Sequence, residues 1–379
     1  MSKRKATDEE IKAALADMTV AAAADHLGMH ERTLWQHKAR LARQGWSPAH
    51  DMTKTVPDGF HVKGTSTLYD EEGKPKLQWV KTSINHERQA ELMREAAEAM
   101  ADDLPQVPPA PSPDNTLPHL MAVYPIGDAH IGMRAWGEET QGGDWDLAIA
   151  ERVQCGAMAA LVAMAPACEQ ALIVNCGDWF HADNMEGTTS RSGHILDVDG
   201  RYAKMIRVGV KVMRQCIESA LQKHARVRVC NVIGNHDDTG AIWLSIALGH
   251  IYANEPRVEI DSSPAPFMYH EHGNVLIGMH HGHSCKPDRL PGVMATDQAK
   301  AWGRTKFRYW YIGHVHHQSV KEYSGVTVES FNTLTAKDAY SAWGGYRAQQ
   351  NMKCIVHHAE FGEVARHTVS PDMLKEVAA

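Results

Sequence analysis

The chain is expected to be an α/β protein with a small all-α module at its amino terminus. Short apolar runs rich in β-branched and aromatic residues recur between Leu120 and Ile312. Helical periodicities separate the first of these runs, and a distinct helical pattern precedes a proline-crowded stretch. Strand, helix, strand, helix, strand in that order implies a largely parallel sheet whose strand ends open onto one crevice.

The amino-terminal pattern comes first. Ile11 to Leu15 forms one apolar stripe; Val20 to Leu27, Gly28-Met29 and Glu31 to Leu41 then fit a helix-turn-helix. Ala24 is small enough for two helices to cross, Gly28 permits the turn, and Leu27, Leu34 and Leu41 supply a core. The other face of the third helix carries Arg32, Thr33, Gln36 and Arg40, flanked by Lys38 and Arg43, residue types that contact grooves and phosphates. The pattern is similar to the homeodomain-like helix-turn-helix of transposases and phage regulators. The competing reading is a three-helix interaction module with a solvated basic face.

Gly59 to Lys81 reads as a β-hairpin, Val62 to Tyr69 and Lys76 to Val80 about the turn Asp70 to Lys74, and Glu87 to Met100 as a helix. Leu104 to Pro118 holds six prolines and reads as a semi-rigid exposed spacer. The expected domains are thus residues 1–48, a connector 49–103, a linker 104–118 and a larger domain 119–379.

In that larger domain the expected strands are Leu120 to Ile126, Ala171 to Val174, Val227 to Ile233, Val275 to Met279 and Tyr309 to Ile312. Helices are expected from about Asp146 to Met164 and from about Tyr202 to Lys223. Each strand is followed by a motif of ligand-type residues: Asp128-Ala129-His130, Gly177-Asp178, Gly234-Asn235-His236-Asp237, His281-Gly282-His283 and Gly313-His314-Val315-His316. Any one of these ends a strand by chance in many proteins; five in order call for a convergent site. Carboxylate, imidazole and carboxamide donors suit Mn, Fe or Zn. The seven cysteines include no CxxC pair; Cys155, Cys168, Cys176, Cys216 and Cys230 lie in apolar stretches and read as reduced core residues of a cytoplasmic protein.

These motifs resemble the calcineurin-like metallophosphoesterase superfamily over roughly residues 120 to 365. The resemblance implies a two-sheet sandwich flanked by helices, with one metal held by Asp128, His130 and His316 and a second by Asn235, His281 and His314. Asp178 would bridge the two ions, expected to be Mn, of a phosphate-ester hydrolase. It also implies His236 as general acid, with Asp237 orienting it. At the fourth motif strand alternation sends His281 and His283 one way and His280 the other; the family pattern favours His281 as ligand, leaving His283 for substrate. The segment from Gly177 lacks the Asp-Arg-Gly of protein phosphatases and is more similar to nuclease subunits of double-strand-break repair complexes, in which the residue at the His181 position assists the site. The overall layout is similar to metallophosphoesterases encoded in phage and prophage genomes. Asp183, His317 and the His357-His358 pair are read chiefly as structural. The loop Ala182 to Arg201, with Arg191, His194 and Arg201, is the candidate substrate reader.

A net charge of −7 places any DNA affinity in local patches, and no uninterrupted apolar run reaches the length of a bilayer span. The expected partners are DNA, a second copy of the chain, and phage or host DNA-metabolism proteins, with no membrane. Phosphodiesterase or nuclease is the leading function. A phosphomonoesterase, a cyclic-nucleotide phosphodiesterase and a DNA-binding accessory protein with a weakly active domain stay open.

Overall fold

The computed structural model describes residues 6–43, 46, 48, 60–70, 75–84, 106–189 and 192–374. The chain divides into two units, Met1–Leu92 and Met93–Ala379, a boundary that falls inside the expected connector. The helix expected over Glu87 to Met100 lies outside the described residues.

In the first unit, α1 (Asp8–Asp17), α2 (Val20–His26) and α3 (Glu31–Arg43) enclose Ile11, Leu15, Val20, Ala24, Leu34 and Leu41. Thr7 and Glu10 form a reciprocal capping box on α1, and Thr19 caps α2. Gly28 turns the chain at φ +62°, which a side chain would resist. Arg32, Thr33 and Gln36 are exposed on α3. Two neighbours expected beside them are not: Lys38 is buried, its ammonium 5.0 Å from the Trp35 ring centre, and Arg40 binds Asp8 of α1 with both terminal nitrogens. A bidentate partner on a neighbouring helix has claimed the guanidinium. The Arg43 side chain lies outside the described residues. The expected hairpin is present as antiparallel β1 (Phe60–Tyr69) and β2 (Pro75–Ile84).

The second unit runs β3 (Leu117–Ile126), α4 (Gly137–Thr140), α5 (Leu147–Met164), β4 (Cys168–Asn175), α6 (Tyr202–Leu221), β5 (Arg226–Asn231), α7 (Gly240–Ile251), β6 (Val258–Asp261), β7 (Met268–His272), β8 (Val275–Met279), α8 (Leu290–Asp297), α9 (Ala299–Arg304), β9 (Phe307–Ile312), β10 (Ser319–Tyr323), β11 (Val326–Ser330), α10 (Ala339–Trp343), β12 (Met352–His358) and β13 (Gly362–Val369). A six-stranded sheet has the order β13-β12-β3-β4-β5-β6 and a five-stranded sheet β10-β11-β9-β8-β7. β3 through β6 pair in parallel, as do β8, β9 and β11.

Strand alternation explains the layering. Met121, Val123, Leu172 and Val174 point between the sheets toward Ile277, Met279 and Tyr311, whereas Ala122, Tyr124, Ala171 and Ile173 point outward to α5 and α6. On the far side Leu276, Trp310 and Val328 meet α8 and α9. The result is a two-sheet sandwich with helices on both outer faces. α5 is long and apolar enough to span a membrane by length and composition, but Ala150, Val153, Ala157 and Leu161 pack into the core.

Two expectations need correction. The third strand stops at Asn231, two residues short of Ile233. The proline-rich segment, so far as it is described, is no free spacer: Val107 N–H donates to Ile251, Ala110 N–H donates to Glu255, and Arg257 donates to the carbonyls of Ala110 and Pro111. Proline removes donors but leaves carbonyls open, and Arg257 fills them.

Candidate metal centre

The motifs leave their strands through backbone that L-residues rarely adopt. Asp128, His130, Asp178, His314 and His316 all have positive φ, between 36° and 69°; among the described non-glycine residues only Gln141 shares this. Such conformations cost about 1–3 kcal/mol each and persist where the surroundings over-determine them. Here the Asp128 carboxylate accepts the His314 N–H at 2.9 Å, Thr333 Oγ1 donates to the Asp128 carbonyl at 2.8 Å, and His130 N–H donates to the Asp178 carbonyl at 3.0 Å.

The motif glycines have a steric reason. A Cβ on Gly234 would stand 2.0 Å from Asp178 Oδ1, on Gly177 2.5 Å from His281 Nδ1, and on Gly313 2.6 Å from Asp128 Oδ2. Each glycine makes room for a donor supplied by a different motif.

Three donor sets result. Asp128, His130 and His316 offer atoms within 4.8 Å of one another, and so do Asp178, His281 and His314, and His130, His181 and His236; the first two carry the carboxylates. His281 Nε2 lies 3.1 Å from Asp178 Oδ2, 3.1 Å from Asn235 Oδ1 and 3.9 Å from Asp128 Oδ1, which links the sets. His281 Nδ1 donates to the Cys176 carbonyl at 2.8 Å, aiming Nε2 into the cluster, as expected of a ligating imidazole. His130 Nε2 and His316 Nε2 approach to 3.2 Å.

The electrostatics suit cations. Asp128 and Asp178 are buried, and their only ion-pair partners among the described residues are histidines. Burial alone would raise the Asp178 carboxyl, but His281 outweighs it and holds the pKa well below the usual range; Asp178 in turn lifts His281, against burial, to about 10. Burial and the crowding of His236, His181 and His316 push His130 well below the ordinary imidazole value. Buried carboxylates whose only opposing charges among the described residues come from histidines make, with those imidazoles, a donor set that two divalent ions fit.

The remaining residues are placed as follows. His236 N–H donates to Asp178 Oδ1 and its Nδ1 donates to the His181 carbonyl, both at 2.8 Å, so Nε2 is left for chemistry; its ring centre is 4.8 Å from that of His130. Asp237 does not orient His236. Its buried carboxylate accepts the N–H groups of Asp178, Gly234 and Phe180, bracing the second and third motifs together. His181 is buried against His130, Nδ1 to Nδ1 at 3.2 Å, and is drawn into the donor cluster, with no opening to bulk solvent. His283 stands beside His281 and His314, ring centres 5.3 and 6.1 Å away. His280 turns away, stacks on Phe267 and accepts the Gly282 N–H. His194 and Arg201 are exposed, and Arg191 lies outside the described residues. His357 is buried with Tyr311, His358 stacks on Phe361, His317 bonds its own turn, and Asp183 caps Thr239.

The sequence reading missed two residues. Thr333 follows β11, which lies parallel to β9, so its strand end reaches the same rim; a polar residue there was the available signal. Asp338 lies close enough to help raise the pKa of His316, after Asp128, and to oppose the burial that lowers His181 to about 3.

No protein-family model matches the chain, and no curated protein does. Among solved structures it is similar to a conserved, predicted phosphoesterase of Streptococcus pneumoniae: 11% identity over 67% of this chain and 91% of that one, TM-score 0.29. It is also similar to the zinc complex of Vps29 from Entamoeba histolytica, with 14% identity over 66% and 99%, TM-score 0.26. The phosphopantetheinyl hydrolase of Mycobacterium tuberculosis gives 11% identity over 61% and 94%, TM-score 0.28. Overlaps at this level carry no argument; the site's own geometry does.

Proposed function

We propose that the chain is a calcineurin-like metallophosphoesterase that hydrolyses phosphodiesters, with DNA as substrate and the amino-terminal helix-turn-helix as the element that brings it there. One observation carries the hydrolase reading: two donor sets with buried carboxylates, drawn from four strand ends and joined through His281 and Asp178, with Asn235 of a fifth 3.1 Å from His281, built on strained backbone and free of Lys or Arg among the described residues. Asp128, His130 and His316 would hold one divalent ion, Asn235, His281 and His314 the other, and Asp178 both. Ions there, Mn or else Fe or Zn, supply Lewis acidity toward phosphate and make water nucleophilic at neutral pH.

The chain's own residues do the rest. His236, with Nδ1 committed to the His181 carbonyl, presents Nε2 as the proton donor for the leaving oxygen. Asp237 holds the amides of Gly234, Asp178 and Phe180 in register, so the bridging carboxylate and His236 keep a fixed separation. His283 borders the second donor set, where it would touch substrate. The DNA half of the reading is supported by the Gly28 turn and by Arg32, Thr33 and Gln36 exposed on α3.

The test is a substrate panel with purified protein and Mn: linear and circular DNA, single and double stranded, RNA, cyclic dinucleotides, a phosphomonoester and a chromogenic diester. Hydrolysis of diesters with DNA preferred is the expected result. Turnover confined to monoesters or cyclic nucleotides would replace the nuclease assignment, and no metal-dependent turnover of any of them would end the hydrolase reading.

A further inference from the structure

Three segments run outward from the candidate centre, and each carries donors or their supports at one end and exposed apolar side chains at the other. The first passes from Asp128 and His130 to Trp136, the second from Asp178 and His181 to Met185 and Ile195, and the third from Thr333 and Asp338 to Tyr340 and Trp343. Ile195 is 90% exposed, Met185 87%, Trp343 85% and Tyr340 77%. The segments are tied together: Arg134 N–H donates to the Asp197 carbonyl at 2.9 Å, Met133 bridges Val198, Lys337 donates to the Gln141 carbonyl, and α10 packs beside α4. Tyr340 stacks on Tyr346 with ring centres 6.4 Å apart, so two aromatic faces are already held roughly parallel.

We infer that this rim is a stacking platform for the unpaired bases of a single-stranded nucleic acid whose backbone phosphate enters the centre. The inference rests on the phosphodiesterase reading and narrows its substrate. Large apolar side chains clustered on a surface mark a binding site. Rings, in contrast to an aliphatic patch, offer π-faces, and every nucleobase has one to match. A duplex keeps its bases inside the helix and cannot use them. Arg134, on the first segment, and Arg201, just past the second, are exposed and able to meet flanking phosphates, whereas Arg347 donates to the carbonyls of Ala342 and Tyr346. Glu138, Glu139 and Glu186 are on or beside the same segments, so the attraction is carried by the rings more than by net charge. Continuity with a phosphate-handling centre is what selects nucleic acid over a protein or lipid partner.

The experiment uses the full chain in EDTA, where no turnover interferes, and follows the anisotropy of a fluorescein-labelled single-stranded oligonucleotide. Stacking contributions of the usual size predict that Trp343→Ala and Tyr340→Ala each weaken single-strand binding by about 5- to 150-fold. Trp343→Phe should retain most of the affinity, since it keeps a ring. Binding of a labelled duplex should be the same in all variants, which separates the rim from the amino-terminal module. Wild-type affinity in both alanine variants overturns the proposal, as does an equal loss for duplex or a loss in Trp343→Phe as large as in Trp343→Ala. Hydrolysis of bis(4-nitrophenyl) phosphate by the wild type with Mn is measured separately; its absence ends the phosphodiesterase reading and leaves the binding result to decide the rim.

Discussion

The third helix of the first unit and the strand ends of the second both present polar residues that local sequence marks as functional, yet the structure treats them differently. On α3, Arg40 is taken by Asp8 and Lys38 is buried, so among the described side chains the basic stripe shrinks to Arg32 with Thr33 and Gln36. At the strand ends, Asp128, His130, Asp178, Asn235, His281, His314 and His316 come together. A surface guanidinium can satisfy itself on any nearby carboxylate or on water, and which it does leaves no trace in a helical periodicity. A buried carboxylate has neither choice. It needs a cation or a donor, so a motif that ends a buried strand says more than one on a solvated face.

The comparison breaks most readily at Asp178. Asp178→Asn should abolish diester turnover and lower the metal content at both positions, because a neutral amide cannot offset two divalent charges; near-normal activity with two ions per chain by elemental analysis would remove the bridging role. His236→Ala should lose roughly 10²- to 10⁴-fold in rate while keeping its metals, and a metal lost with the imidazole would make His236 a ligand instead.

The glycines sharpen the contrast. Gly234→Ala forces a Cβ against Asp178 and Asp237 and should cost about 3 kcal/mol or more, together with metal binding. Gly28→Ala meets nothing within 4 Å and should cost only the roughly 1–2 kcal/mol of a left-handed alanine. Equal destabilisation of the two variants, measured by thermal unfolding, would contradict the crowding argued for the centre.

Acid should act on the second unit through buried imidazoles outside the centre. Burial lowers His357 to about 3 and His224 and His270 to about 4. An unfolded histidine takes up a proton near pH 6.5, so between that pH and about 4 the unfolded chain binds more protons and stability falls as pH falls. Full stability is expected above about pH 6.5, and a melting temperature that stays level from pH 7 to 5 would refute the assignment. The smallest effect belongs to α3. Arg32→Ala with Gln36→Ala should raise the apparent KM for duplex DNA and reduce the salt slope of binding by about 1, with a small diester hydrolysed as before. Arg40→Ala should leave that slope alone, because its guanidinium is bound to Asp8.

Some of the architecture was legible because it is written locally. β3, β4, β8 and β9 are buried runs followed by polar turns, α5 carries a clear start capped by Asp146, and α6 shows its apolar periodicity without a cap. β6, β7 and β10 to β13 escaped notice: β10 is exposed and β13 mixed, so no apolar run marks them, while β11 and β12 are buried but end in no ligand motif, and in each case the partner strand defines the element. The second sheet's full membership was therefore out of reach.

By itself the sequence determined the order of the five strands that carry the motifs, the residue types at each of their ends and the glycines between them, since these follow from periodicity and composition within a few neighbouring positions. Only the tertiary structure decided that Asp237 braces amides, that Arg40 is occupied, that Thr333 anchors Asp128 and that Tyr340 and Trp343 stand exposed. Those outcomes depend on which groups meet across tens or hundreds of residues, and a side chain's role is set by the partner that reaches it first.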